Sequence, residues 1–130
     1  IWYTKRFVDK VVIMKPTESE LEILQVLWDR QPCSVREVHE SLKRKDIGYT
    51  TTLKLMQIML EKKLVTRDTS LKSHLYSTAI NKEAIEHQYL NRMIETIYNG
   101  NTSRLIMQVL GNHKSSKEEI ELIKKYLDNL

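Results

Sequence analysis

The chain has 130 residues, 41% of them hydrophobic and 29% charged, with three glycines, two prolines and one cysteine. That balance fits one globular domain or two small ones with few long loops, and the single Cys33 excludes an internal disulfide or a multi-cysteine metal site and points to a reducing compartment, the cytoplasm. The net charge of +4 is mild, but residues 43–78 carry eight Lys/Arg against three Asp/Glu while residues 79–130 carry seven of each, so the positive potential is local and suits an anionic partner such as nucleic acid.

The first thirteen residues, IWYTKRFVDKVVI, lack the long apolar core of a signal peptide, and no apolar run is long enough to cross a membrane. Met14 followed by Lys15-Pro16 reads as a natural start. Residues 1–13 are therefore expected to be an upstream or a non-native extension; if native, Trp2, Tyr3, Phe7 and Val8 could pair or pack against the body. Thr17-x-x-Glu20 is a capping box. It predicts a helix through Arg30, with Leu21, Leu24, Leu27 and Trp28 as the buried stripe and Gln31-Pro32 as the stop. Ser34-x-x-Glu37 is a second capping box, predicting a short helix from Val35 to about Arg44 with Val35, Val38 and Leu42 inward. Cys33 precedes that start, where a thiolate can be stabilised, yet nothing else marks a redox centre and it reads as inert.

After a charged turn, a third helix is expected over residues 49–63, with Thr50 as its N-cap. Helical spacing puts Thr52, Leu55, Met56 and Met59 on one face with Leu60 at its edge. The opposite face carries Thr51, Lys54, Gln57, Ile58 and Glu61. Hydroxyls, an amide and a long cation on one face can hydrogen-bond base edges and phosphates in a major groove, although a polar outer face is also what any amphipathic helix shows. Two β-prone segments, 64–68 and 74–78, flank a polar tip and predict a hairpin. The fold class is therefore mainly α with a small β-hairpin. A winged helix-turn-helix is expected over 14–79, its wing offering Arg67, Lys72, Ser73 and His74 to a DNA backbone. Thr50 and Ser34, at helix starts, are expected to hold phosphates.

Residues 80–130 predict three more helices, over 81–98, over 102–110 and from a cap at Ser115 or Ser116 onward. About fifty residues cannot bury a sufficient core alone. Their apolar stripes are expected to meet a second copy through Tyr89, Met93, Ile97, Leu105, Ile106, Val109, Ile120, Ile123 and Leu127. A two-fold dimer would also present two reading helices to two half-sites.

The stretches KPTESELEILQVLWDRQPCSVREVHESL, GYTTTLKLMQIMLEKKLVTRD, SHLY and IYNGNTSRLIMQVL together resemble the BlaI/MecI family of bacterial repressors, the penicillinase and methicillin-resistance type. The resemblance covers nearly everything from Lys15 onward. It implies a winged-helix DNA-binding domain, a C-terminal dimerisation domain and repression at an inverted-repeat operator. It also implies, for some members, inactivation by cleavage near the start of the middle C-terminal helix once a membrane-bound sensor protease is triggered. The matching bond here is Asn101-Thr102, which lacks the bulkier apolar downstream residue of cleaved members, so the departure argues against cleavage there. A related copper-responsive branch uses clustered cysteines, which this chain lacks. Ile58 stands where many relatives carry an arginine. Lys63 stands where they usually carry glycine, so a left-handed lysine is expected.

The leading expectation is a dimeric, sequence-specific repressor on a double-stranded operator, with no cofactor. The runner-up is a winged-helix module that binds another protein through the same face. An enzyme finds no support: His39, His74, His87 and His113 are scattered, and no acid, base and nucleophile converge. His39 and His113 are expected to be solvated.

Overall fold

The computed structural model describes residues 15–112 and 115–130. The readings that fall on residues 1–14 and on His113 lie outside them. Chain contacts divide the protein into two compact units, one running to Glu86 and the other His87–Leu130.

The first unit is built by its caps. Thr17 and Glu20 exchange both bonds of a capping box and launch α1 (Glu18–Arg30); Gln31 ends it, extended, before a cis Gln31-Pro32 peptide. Ser34 and Glu37 repeat the device at the start of α2 (Val35–Ser41). This helix stops earlier than the expected Arg44: Leu42 turns extended and buries its side chain, and the Arg30 guanidinium binds the Ser41 hydroxyl at 3.2 Å. The third helix, α3 (Tyr49–Glu61), is capped by extended Gly48 and not by Thr50, because the Thr51 and Thr52 amides donate to the Gly48 carbonyl. Thr50 is thus an exposed residue of the first turn.

The inner face of α3 is as expected in Thr52, Met56 and Met59, all fully buried, with Leu55 and Leu60 half-buried. They meet Ile23, Leu24, Leu27, Val38 and Leu42 in one core. Ile23 and Glu20 are core residues outside the expected stripe, while Leu21 and Trp28 are only half-buried. Glu20 is 1% exposed, and Lys62, just past α3, reaches both of its carboxylate oxygens at 3.0 Å. A carboxylate stripped of water needs such a cation. The expected left-handed lysine is present: Lys63 has φ 64°, and its reversal lets the Leu64 amide return to the Met59 carbonyl.

The hairpin pairs β1 (Val65–Asp68) with antiparallel β2 (Leu75–Thr78), Arg67 opposite Tyr76. It is tied to the helices. Cys33 and Tyr76 exchange backbone bonds of 3.0 and 2.7 Å. The Gln31 amide oxygen accepts from the Thr78 amide and hydroxyl, and the Trp28 indole donates to the Ile80 carbonyl. Helix, helix, helix and anchored hairpin make a winged helix. A further helix, α4 (Lys82–Thr96), runs across the division between the units.

In the second unit, a turn with Asn99 (φ 49°) and Gly100 (φ 80°) separates α4 from α5 (Thr102–Asn112). Gly111 and Asn112 continue α5, where a break was expected. The last helix, α6 (Lys117–Asp128), is capped by Ser116, whose hydroxyl accepts from the Glu119 amide.

Candidate nucleic-acid interface

The outward side of α3 carries exposed Thr50, Thr51, Lys54, Gln57 and Glu61, with Ile58 half-buried beside them. Successive turns place Thr50, Lys54, Gln57 and Glu61 along the crest and Thr51 and Ile58 on its flank. On the other flank lies an open cleft of about 470 Å³ between α3, the start of α2 and the hairpin. Ser34, Val35, Arg36, Tyr49, Leu53, Gln57, Arg67, Lys72, Ser73, His74 and Tyr76 line it. Six of the nine predicted DNA contacts are therefore gathered in one place: Ser34, Gln57, Arg67, Lys72, Ser73 and His74. Thr50, Thr51 and Lys54 stand on the helix outside the cleft, and Gln57 belongs to both surfaces.

The cleft's charge is one-sided. Arg36, Arg67 and Lys72 line it and no carboxylate does. None of the three appears in an ion pair among the described residues, where the pairs are Arg44–Asp46, Lys62–Glu20 and Lys124–Glu121. Uncompensated like charges around a concavity focus a positive field that attracts a polyanion. On the hairpin, the Ser70 hydroxyl and amide turn the Asp68 carboxylate inward on its own loop and hold its carboxyl below the usual range.

Two predicted contacts change character. The Ser34 hydroxyl accepts from the Glu37 amide and its amide donates to the Glu37 carboxylate at 3.0 Å. Those bonds hold the Glu37 carboxyl below its ordinary range, so a negative charge already occupies that helix start. Ser34 lines the cleft with its amide and one hydroxyl lone pair engaged by Glu37. Thr50 loses its capping role but keeps an exposed hydroxyl.

Two cleft residues, Arg36 and Tyr49, and the histidine behind them escaped the sequence reading. The Arg36 guanidinium lies 4.9 Å from the centre of the Tyr49 ring. His39, expected to be solvated, is half-buried instead: its Nδ1 is 2.8 Å from the Thr52 hydroxyl, and its ring meets Tyr49 edge-on at 5.9 Å. No periodicity announces such a stack, because its members lie on two helices 13 residues apart. Cys33 is buried and donates to the Arg30 carbonyl; burial first, then the nearby Glu37 charge, pushes its thiol up, which suits an inert role.

In the second unit, six of the predicted interface residues are exposed on the single chain: Met93, Ile97, Ile106, Val109, Ile123 and Leu127. Tyr89 and Ile120 are half-buried. Leu105 is the exception: at 8% exposure it is already covered and offers little to a partner. Leu90, Met107, Leu122 and Leu130 add exposed apolar surface that was not anticipated, and Tyr126, on the expected stripe of the last helix, is exposed as well. Asn101 and Thr102 are exposed at the start of α5, where the Asn101 side-chain oxygen accepts from the Arg104 amide and the Ser103 hydroxyl. Among the described residues no group of His, Cys, Asp and Glu could hold a metal ion, and no helix is long and apolar enough to cross a membrane.

The family model described as Penicillinase repressor matches residues 16–129. The chain belongs to the penicillinase repressor family. It is 22% identical over 113 residues to the penicillinase repressor of Staphylococcus aureus, spanning 86% of this chain and 90% of that one. It is 26% identical over 117 residues to the penicillinase repressor of Bacillus licheniformis, spanning 86% and 88%. Among solved structures it overlaps BpsR of Bordetella bronchiseptica over 98% of this chain and 90% of that one, at 15% identity and TM-score 0.48. The penicillinase repressor family is one of transcriptional repressors and not of enzymes. That agrees with a site made of cations and hydrogen-bond donors.

Proposed function

We propose that the chain is a homodimeric, sequence-specific DNA-binding repressor that occupies an inverted-repeat operator from the cytoplasm. The observation that carries this is the polar crest of α3 beside a cleft holding three cations and no carboxylate. Thr50, Thr51, Lys54 and Gln57 face base edges in the major groove. Gln57 has the paired donor and acceptor that adenine requires, and the threonine methyls suit thymine. Arg67, Lys72, Ser73 and His74 grip the flanking backbone. The exposed apolar stripes of α4, α5 and α6 join two copies, setting two reading helices about 34 Å apart on one face of the duplex.

Release through a membrane-bound sensor protease would have the exposed Asn101–Thr102 bond as its target, and the missing bulky apolar residue on its downstream side weighs against that route. The Asn101 cap has to open before that bond can enter a protease in extended form.

A mobility-shift assay against the protein's own promoter region, at two salt concentrations, tests the core of the proposal. Selective binding that weakens steeply with salt is expected. Binding that is undetectable or indifferent to salt would instead indicate a module that docks on another protein.

A further inference from the structure

We infer that the cleft between α3 and the hairpin takes one sugar-phosphate strand of the duplex, and that Arg36, aimed by the Tyr49 ring, is a backbone contact there. The inference rests on the DNA-binding reading and goes beyond it by assigning a residue and a path for the strand.

Arg36 is exposed and lies on the α2 wall, whereas Arg67 and Lys72 come from the hairpin opposite. Cations on two facing walls suit a linear polyanion passing between them better than a compact ion seated at one end. The walls also fix the direction. One side of the cleft is continuous with Gln57 on the crest that faces the major groove, and the other is the wing. The only part of a duplex between adjacent grooves is the backbone strand that separates them.

What distinguishes Arg36 from a surface arginine is its support. A free arginine loses rotamer freedom when it binds phosphate, and that loss offsets much of the gain. Here the guanidinium rests 4.9 Å from the Tyr49 ring centre, within the range of cation–π attraction. Tyr49 also meets the His39 ring at right angles, with ring centres 5.9 Å apart. His39 is pinned at 2.8 Å to the Thr52 hydroxyl, which is fully buried. The stack runs from the core of the unit out to the guanidinium, leaving the N–H groups that do not face the ring to meet phosphate oxygens.

The test uses the full chain, a duplex selected from random DNA and a scrambled duplex of equal length. Arg36→Ala should reduce the slope of log affinity against log salt by about 0.9 on both duplexes, the loss of one phosphate. The ratio of selected to scrambled binding should not change. Ethylating DNA phosphates should reveal one position per half-site that hinders the wild type and no longer hinders R36A. Tyr49→Phe keeps the ring and should bind as the wild type does. Tyr49→Leu should keep the slope and lose about two- to fivefold in affinity, the worth of an exposed cation–π contact. An R36A protein with an unaltered slope overturns the inference while the repressor reading stands. A changed base preference overturns it too, making Arg36 a base reader. A wild type that binds no duplex overturns both.

Discussion

From Lys15 to Glu86 the chain turns most of its apolar side chains inward. Ile23, Leu24, Leu27, Val38, Met56 and Met59 are at most 1% exposed, and the outer face of α3 is polar. From His87 onward the pattern inverts: Leu105 is the buried hydrophobic residue among those described, while Ile97, Met107, Leu122 and Tyr126 are each about two-thirds exposed. Charge divides along a similar line, with the excess cations in residues 43–78 and a neutral remainder. One region has completed its core and spends its surface on an anion. The other leaves apolar surface exposed on the single chain, which is where the proposed second copy would pack. The lesson is that an element's amphipathic stripe does not say whether its partner lies in the same chain. The first unit's stripes close on each other; the second unit's do not.

The sharpest way to break this contrast is to charge the second unit's surface. Ile123→Asp combined with Leu127→Asp should turn a dimer into a monomer by sedimentation, with helix content retained. Operator affinity should fall by about 10²–10⁴ as the two half-sites lose their linkage. A double variant that stays dimeric with full affinity would remove α6 from the interface. Next in size is Leu27→Ala, at a fully buried position. It should cost about 2–5 kcal/mol in urea unfolding. Val109→Ala, at 51% exposure, should stay within about 0.5 kcal/mol when measured in the monomeric background. Equal losses would mean that the second unit has a core of its own. Gln57→Ala should leave stability alone and relax base preference at one position per half-site by about 1–3 kcal/mol. Full preference in that variant would take Gln57 away from the bases. The smallest effect concerns Lys63, held at φ 64°. Lys63→Gly should raise stability by about 1 kcal/mol by removing a left-handed side chain, read as a higher urea midpoint.

The parts of the fold that were legible are those fixed within a few residues. Both capping boxes set the starts of α1 and α2, because Thr17 with Glu20 and Ser34 with Glu37 need only a three-residue span. The buried face of α3 and the hairpin could be read for the same reason, whereas the left-handed Lys63 was expected only from the glycine that relatives carry there. What failed depended on distant partners. Thr50 looked like a cap, since serine and threonine outrank glycine there. The start lies at Gly48, and Thr52 sits where its buried hydroxyl meets His39. Glu20 looked like a capping residue only; its ion pair is with Lys62, 42 residues on. The end of α2 carries no local stop signal, and Leu42 leaves the helix to fill the core. Arg67 and Lys72 could be named in advance as cations of the site, but Arg36, which rests on an aromatic ring, could not.

The Cys33–Tyr76 bridge gives the wing a fixed root. Tyr76 is paired on one side with Arg67 and on the other with the segment joining the first two helices, and Gln31 holds Thr78 at the strand's end. On the DNA-binding reading proposed above, the hairpin is the fixed jaw of a caliper whose other jaw is α3. A rigid gauge of this kind measures a duplex as well as reading it. Sequences whose grooves depart from its span must be bent to fit, and they would be disfavoured even at base pairs that no side chain touches.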